Sequence, residues 1–256
     1  MGELHAKSVV VGIDGSQAAV GAARWAVDEA ISRHIPLRLV HVIGHKQPRS
    51  PSPQTSDWEL KRGEAALDHA EFAVQDVGKP VEVETVLLSG DPEQTLINES
   101  TDAALVCVGT DRHGWAADKL LGTTEAALAK RAHCPVAIIR TNPYGTPAQP
   151  GVIVVVLNDD PDNDEVVHQA IYEARLRNVS LREIDRRLDS WVRRFPDVPV
   201  QLVAAGTGVK YSESHSSAIE LAVVGEADAD EISELNALSG HPIAGYPDCS
   251  VLLIRH

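Results

Sequence analysis

Gly109, Gly122, Thr123 and Thr124 are the residues whose types and spacing most plainly suggest chemistry. The stretch from Leu105 to Thr124 reads LVCVGTDRHGWAADKLLGTT. An apolar run ends at Gly109, a polar loop follows, and a second glycine with two threonines stands before EAALAK, a run of strong helix formers. Thr123 or Thr124 is placed to cap that helix. A helix N-terminus offers unpaired N–H groups, and a glycine before it admits close backbone approach, so the chemistry indicated is phosphate binding. An ordinary strand-to-helix turn of an α/β domain carries the same pair of glycines.

Two stronger nucleotide signatures are excluded. Gly109 and Gly114 have the four-residue gap of a P-loop, but Trp115 and Ala116 stand where that loop needs its Lys and its Ser or Thr. No GxGxxG follows a strand, so the dinucleotide fingerprint is missing. Paired carboxylates at Mg²⁺-binding spacing and a base for an attacking water are also lacking, so no residue is assigned a catalytic role.

The elements that must position these residues follow from apolar periodicity. Ser8–Ile13 is a β-branched strand ending in Asp14-Gly15-Ser16. After it, Ala19, Ala22, Ala23, Ala26, Val27, Ala30 and Ile31 recur at helical spacing, with Ser16 as the cap. Leu37–Ile43 is a second strand, residues 44–56 a Pro- and Ser-rich loop, and Trp58–Val77 a second helix. Val81–Leu88 is a third strand, closed by Gly90-Asp91-Pro92 and a short helix. Leu105–Val108, a helix through Arg131 and the strand Cys134–Ile139 complete the series. Strands alternating with helices predict a parallel, doubly wound sheet. Ligands of such sheets lie beyond the carboxyl ends of the strands, where strand order reverses. The ends of strands one, two and four carry Asp14, Val42, and Val108 with Gly109.

Composition narrows the function further. A formal charge of −14 over 256 residues argues against nucleic acid or an anionic membrane as partner. No apolar run approaches a membrane span, and MGELHAKSVVVG enters a strand without a signal-peptide stretch, so cytoplasmic residence is expected. Cys107, Cys134 and Cys249 lack metal or redox spacing and read as small buried hydrophobes.

VGIDGS at 11–16, GDP at 90–92, the glycines of 109–123 and HCPVAII at 133–139 together resemble the universal stress protein (UspA) family, over residues 7–141. ATP-binding members carry G-x2-G-x9-G-[ST]. Counted from Gly109, the last glycine and hydroxyl fall on Gly122 and Thr123, but the middle glycine is Arg112, which either contacts phosphate through its guanidinium or obstructs the pocket. The resemblance implies ATP, with or without Mg²⁺, as ligand. Gly12, Ile13 and Asp14 would meet adenine and ribose, the backbone of Val42 would pair with adenine, and Val108, Gly109, Arg112, Gly122, Thr123 and Thr124 would complete the site.

Beyond a Pro- and Gly-containing linker at 142–151 the pattern restarts. Asp159 lies 145 residues after Asp14, Gly206 and Gly225 lie 116 after Gly90 and Gly109, and Cys249 lies 115 after Cys134. The fold expected is two tandem doubly wound, Rossmann-like domains at 1–141 and 152–256, the second truncated by about 29 residues before Gly206. That deletion predicts a rudimentary or absent second strand after Arg177. Leu157 replaces Gly12, Asp228 and Leu238 stand at motif glycines, and Glu226, Asp228, Asp230 and Glu231 would repel an anion. The second domain is therefore expected to bind no ATP. Family members commonly pair through their last strands, which implies an intramolecular pseudo-dimer through Val136–Arg140 and Val251–Arg255; a homodimer of chains is left open. The function expected is that of an ATP-binding stress-response regulator or sensor, with weak ATPase or autophosphorylation activity at most. The alternative is a nucleotide-free interaction protein of the same family. An enzyme of the related nucleotide-α-hydrolase group would need an SGGxDS-type loop, which is missing.

Overall fold

The computed structural model describes residues 7–44, 53–111, 121–141, 151–157, 163–185, 200–204, 219–236, 241–245 and 248–255. In chain order the first elements are β1 (Ser8–Gly12), α1 (Gln17–Arg33), β2 (Leu37–Gly44), α2 (Pro53–Gln75), β3 (Val83–Gly90), α3 (Pro92–Glu99), β4 (Ala103–Thr110), α4 (Thr123–Arg131) and β5 (Val136–Arg140). There follow β6 (Val152–Leu157), α5 (Asn163–Arg177), β7 (Leu181–Asp185), β8 (Val200–Ala204), β9 (Ile219–Val224), α6 (Ala229–Ser233) and β10 (Ser250–Leu253). The strands form one sheet in the order β3-β2-β1-β4-β5-β10-β9-β6-β7-β8. The first five and the last five therefore run in the same internal order, with a reversal between β1 and β4 and another between β6 and β9. All neighbours are parallel except β5 and β10, which meet antiparallel with Val251 opposite Ile138 and Leu253 opposite Val136.

Parallel strands buried on both faces read as continuous apolar runs, and β1, β4, β5, β6 and β10 do so. The pleat divides each run between two cores. Val136, Ile138, Val251 and Leu253 face α3, α4 and α6, whereas Ala137, Ile139, Leu252 and Ile254 face α1, α2 and α5. Both cores continue across the β5–β10 seam. Helix α1 starts where expected, with Ser16 Oγ accepting from the Ala19 N–H at 3.1 Å.

The second strand of the later half, expected to be rudimentary or absent, is present. β7 lies parallel to β6 and to β8, with Ile153 opposite Leu181 and Ile184 opposite Val203. The shortening falls after that strand instead. Residues 45–82, which include α2, separate β2 from β3, whereas only residues 186–199 separate β7 from β8.

Polar contacts tie the two halves together beneath the sheet. The Glu29 and Glu173 carboxylates are fully buried, and Arg177 contacts both, at 2.8 Å to Glu29 Oε1, while stacking on Trp25 with 4.4 Å to the ring centroid. Arg33 reaches Glu29 at 3.3 Å and lies over the Tyr172 ring. On the opposite face, Lys130 of α4 contacts Glu234 at 3.0 Å and Asp230 at 3.6 Å.

Candidate functional site

The reversal between β1 and β4 opens a cavity of about 490 Å³, within the size range of small-molecule sites. Seven of the ten residues singled out from the sequence line it: Gly12, Ile13, Asp14, Val42, Val108, Gly109 and Thr124. Gly122 and Thr123 precede Thr124 without lining the wall, and Arg112 lies outside the described residues.

The β1 end is fixed from two sides. The Ile13 N–H donates to the Val40 carbonyl at 2.8 Å, and the Ile13 carbonyl accepts from His41 Nδ1 at 2.7 Å. The Asp14 carboxylate accepts from the Ser16 N–H at 2.8 Å, an Asx turn that holds it at the mouth of the cavity. β1 then leaves the sheet, its pairing with β2 ending at Gly12 opposite Val40, while β2 continues to Gly44 against β3. Backbone direction alternates along a strand, so Val42 points its N–H and C=O the way Val40 does, toward the side β1 has vacated. That edge faces the cavity as an adjacent donor and acceptor. Val40, Val42, Leu96 and Val108 supply apolar walls around it.

The glycine that ends β4 has a packing reason as well. A Cβ on Gly109 would overlap the Ala18 carbonyl, so the glycine is what lets the first turn of α1 approach β4. The cap of α4 differs from the one expected: Gly122 is the N-cap, with no side-chain cap bond, and Thr123 and Thr124 are the first two helical residues.

Sequence reasoning missed the walls given by other elements. Pro92 and Leu96 come from α3, His41 from β2, Glu59 and Arg62 from α2, and Glu125 from α4. α2 comes close because Gly63 has no side chain; a Cβ there would stand 2.7 Å from Leu87 Cδ1 and 2.8 Å from His41 Cδ2. Arg62 packs over the Trp58 ring at 5.6 Å, a one-turn spacing that reads directly off a helix. Asp14, Glu59 and Glu125 make the described polar lining richer in carboxylates than in cations. No group of three or more His, Cys, Asp or Glu suited to holding a metal occurs among the described residues. Burial pushes the thiols of Cys107, Cys134 and Cys249 up, the last two to about 12, so all three are inert fillers rather than nucleophiles.

At the second reversal, the segment after Gly225 turns at once into a 3₁₀ turn at Glu226–Asp228 and then α6, whereas in the first half residues 111–122 separate β4 from α4. Three of the four acidic residues expected to repel an anion there are engaged structurally. Glu226 meets Arg255 at 2.6 Å, Asp230 meets Lys130 of the first half, and Asp228 lies 3.8 Å from the buried His241. No helix among the described residues is long and apolar enough to cross a membrane.

A profile of the Universal stress protein family matches residues 5–140. Universal stress protein Rv2624c of Mycobacterium tuberculosis (strain ATCC 25618 / H37Rv) is 40% identical over 270 residues, covering 99% of this chain and 98% of that protein. Universal stress protein Rv3134c of the same strain is 36% identical over 273 residues, covering 98% of this chain and 96% of its own. Among solved structures, a universal stress protein from Archaeoglobus fulgidus DSM 4304 superposes with a TM-score of 0.72 at 13% identity, over 98% of this chain and 99% of that one, which is a likeness of fold. With a family profile over more than half its length and relatives matched nearly end to end, the chain belongs to the universal stress protein family.

Proposed function

We propose that the chain is an adenine-nucleotide-binding stress-response regulator with one site, the cavity at the carboxyl ends of β1, β2 and β4, and that ATP, with or without Mg²⁺, enters it. The observation that carries this reading is the Val42 edge. Its N–H and C=O face an apolar slot past the end of β1, matching the neighbouring acceptor and donor on the Watson–Crick edge of adenine. Asp14 at the mouth suits ribose hydroxyls, and Val108, Gly109 and Thr124 line the way toward the α4 N-terminus, where phosphates are favoured. Gly122 and Thr123 support that terminus, and Arg112 adds a cation to the neighbouring loop in the sequence.

In the same proposal the chain is two copies of one domain, 1–141 and 152–256, joined by 142–151 as a pseudo-dimer. The repeated strand order and the antiparallel β5–β10 seam support this division. The second copy holds no nucleotide, because the 3₁₀ turn after Gly225 takes the place of a phosphate loop. Buried free thiols suit a reducing compartment such as the cytoplasm. Isothermal calorimetry tests the reading: heat saturating near one adenine nucleotide per chain is expected, and no heat with ATP, AMP or adenosine contradicts it.

A further inference from the structure

We infer that Glu125 is an internal competitor for the phosphate position, so that the cleft ranks adenine ligands by charge, with adenosine and AMP ahead of ATP. This rests on the adenine-cleft reading and adds the determinant of its selectivity. The N-cap of α4, Gly122, brings no side chain to the first-turn N–H groups, and Glu125 is the one acid in that turn. Its carboxylate folds back over the turn, so that a Cβ on Gly122 would overlap Oε2. Three residues after the N-cap is where a capping box places the glutamate that reaches back to the cap N–H, and a negative charge there is stabilised by the same dipole that attracts phosphate. Glu125 also lines the cavity, beside Thr124. The first turn of α4, which favours phosphate, is therefore already met by an anion belonging to the chain.

A phosphate chain entering along Thr124 must displace that carboxylate or lie against it, and the cost grows with each added negative charge. Asp14 and Glu59 at the same cavity add to the repulsion, and Arg62 on the α2 wall offsets part of it. A neutral nucleoside at the Val42 edge meets none of this. Glu125 is thus a specificity residue that acts on the phosphate end and leaves the purine end untouched.

Glu125→Gln keeps the shape and a hydrogen-bonding group while removing the charge, and Glu125→Ser substitutes a short neutral side chain should Gln perturb the helix. Affinities of adenosine, AMP and ATP are measured by calorimetry in EDTA, so that no divalent cation bridges carboxylate and phosphate, with circular dichroism to establish folding. The expected result is that both variants tighten ATP on the order of tenfold, tighten AMP less, and leave adenosine within about twofold. An unchanged ratio of adenosine to ATP affinity, or weaker ATP binding in both folded variants, overturns the inference while leaving the adenine cleft intact. No heat with any of the three ligands on any of the proteins overturns both.

Discussion

Arg177 Nη2 lies 2.8 Å from Glu29 Oε1 across the boundary between α5 and α1, joining helices from the two halves through a carboxylate with no solvent exposure. The same guanidinium contacts Glu173 and covers the Trp25 ring. One cation thus contacts two buried acidic side chains while packing as an aromatic partner, and it ties α5 to α1, whose first turn lies against Gly109 at the cleft.

Replacing Arg177 with Ala leaves Glu29 and Glu173 buried with less compensation. Urea unfolding should show a loss of about 3–5 kcal/mol, the usual cost of removing one partner of a buried ion pair. Adding Glu29→Gln should shrink the loss, because the stranded charge goes with it. Equal losses in the single and double variants would show that the cluster contributes by packing alone.

Burial, and then repulsion from Glu29, pushes the Glu173 carboxyl up to about 8 despite Arg177, Gln169 and Arg33 nearby, with Glu220 of β9 completing the charged groups around Arg177. A carboxyl with a raised folded pKa binds its proton more tightly in the folded chain. Its contribution is therefore full below the ordinary glutamate range near 4.5 and is lost as pH rises toward about 8. Stability measured by chemical unfolding across that window should fall with rising pH more steeply in the native chain than in Glu173→Gln. Parallel curves for the two proteins would contradict the assignment.

Gly109→Ala should destabilise the fold with or without ligand, since the new methyl meets the Ala18 carbonyl and a backbone must shift. A cost on the order of 1–3 kcal/mol is expected from overpacking of this kind. A variant of native stability with nucleotide affinity alone reduced would return Gly109 to the phosphate role its sequence context suggested.

Asp14→Ala and Asp14→Asn separate two contributions. Asn retains the oxygen that accepts from the Ser16 N–H, so the loop stays in place, whereas Ala removes the turn and the ribose contact together. Adenosine affinity should drop about tenfold in Ala and less in Asn, consistent with the loss of a charge-assisted hydrogen bond or two. Unchanged affinity in both would move the ribose away from Asp14.

Strands buried on both faces announce themselves as apolar runs, which is why β1, β4, β5, β6 and β10 and the order of loops around the cleft could be read before any coordinates. β7 could not: Arg182, Glu183 and Asp185 interrupt its apolar residues, and what makes LREID a strand is pairing with β6 and β8 on either side. Site residues on the strand ends were legible because motif spacing places them. His41, Glu59, Arg62 and Leu96 were not, since each reaches the cavity only through the packing of α2 or α3 on the sheet. Glu125, which also lines the cavity, stands inside a run of good helix formers where no spacing singles it out. The ties Glu29–Arg177 and Lys130–Asp230 depend on how the halves meet, which no local pattern encodes.

The proposed function rests on a single purine slot at the β2 edge left open by β1. A crystal structure of the chain grown with adenosine tests it most directly. Density is expected for one purine per chain, its Watson–Crick edge against the Val42 backbone and its ribose toward Asp14, with nothing bound between β6 and β9. A purine seated between β6 and β9, or one in the first cleft turned away from Val42, would contradict it.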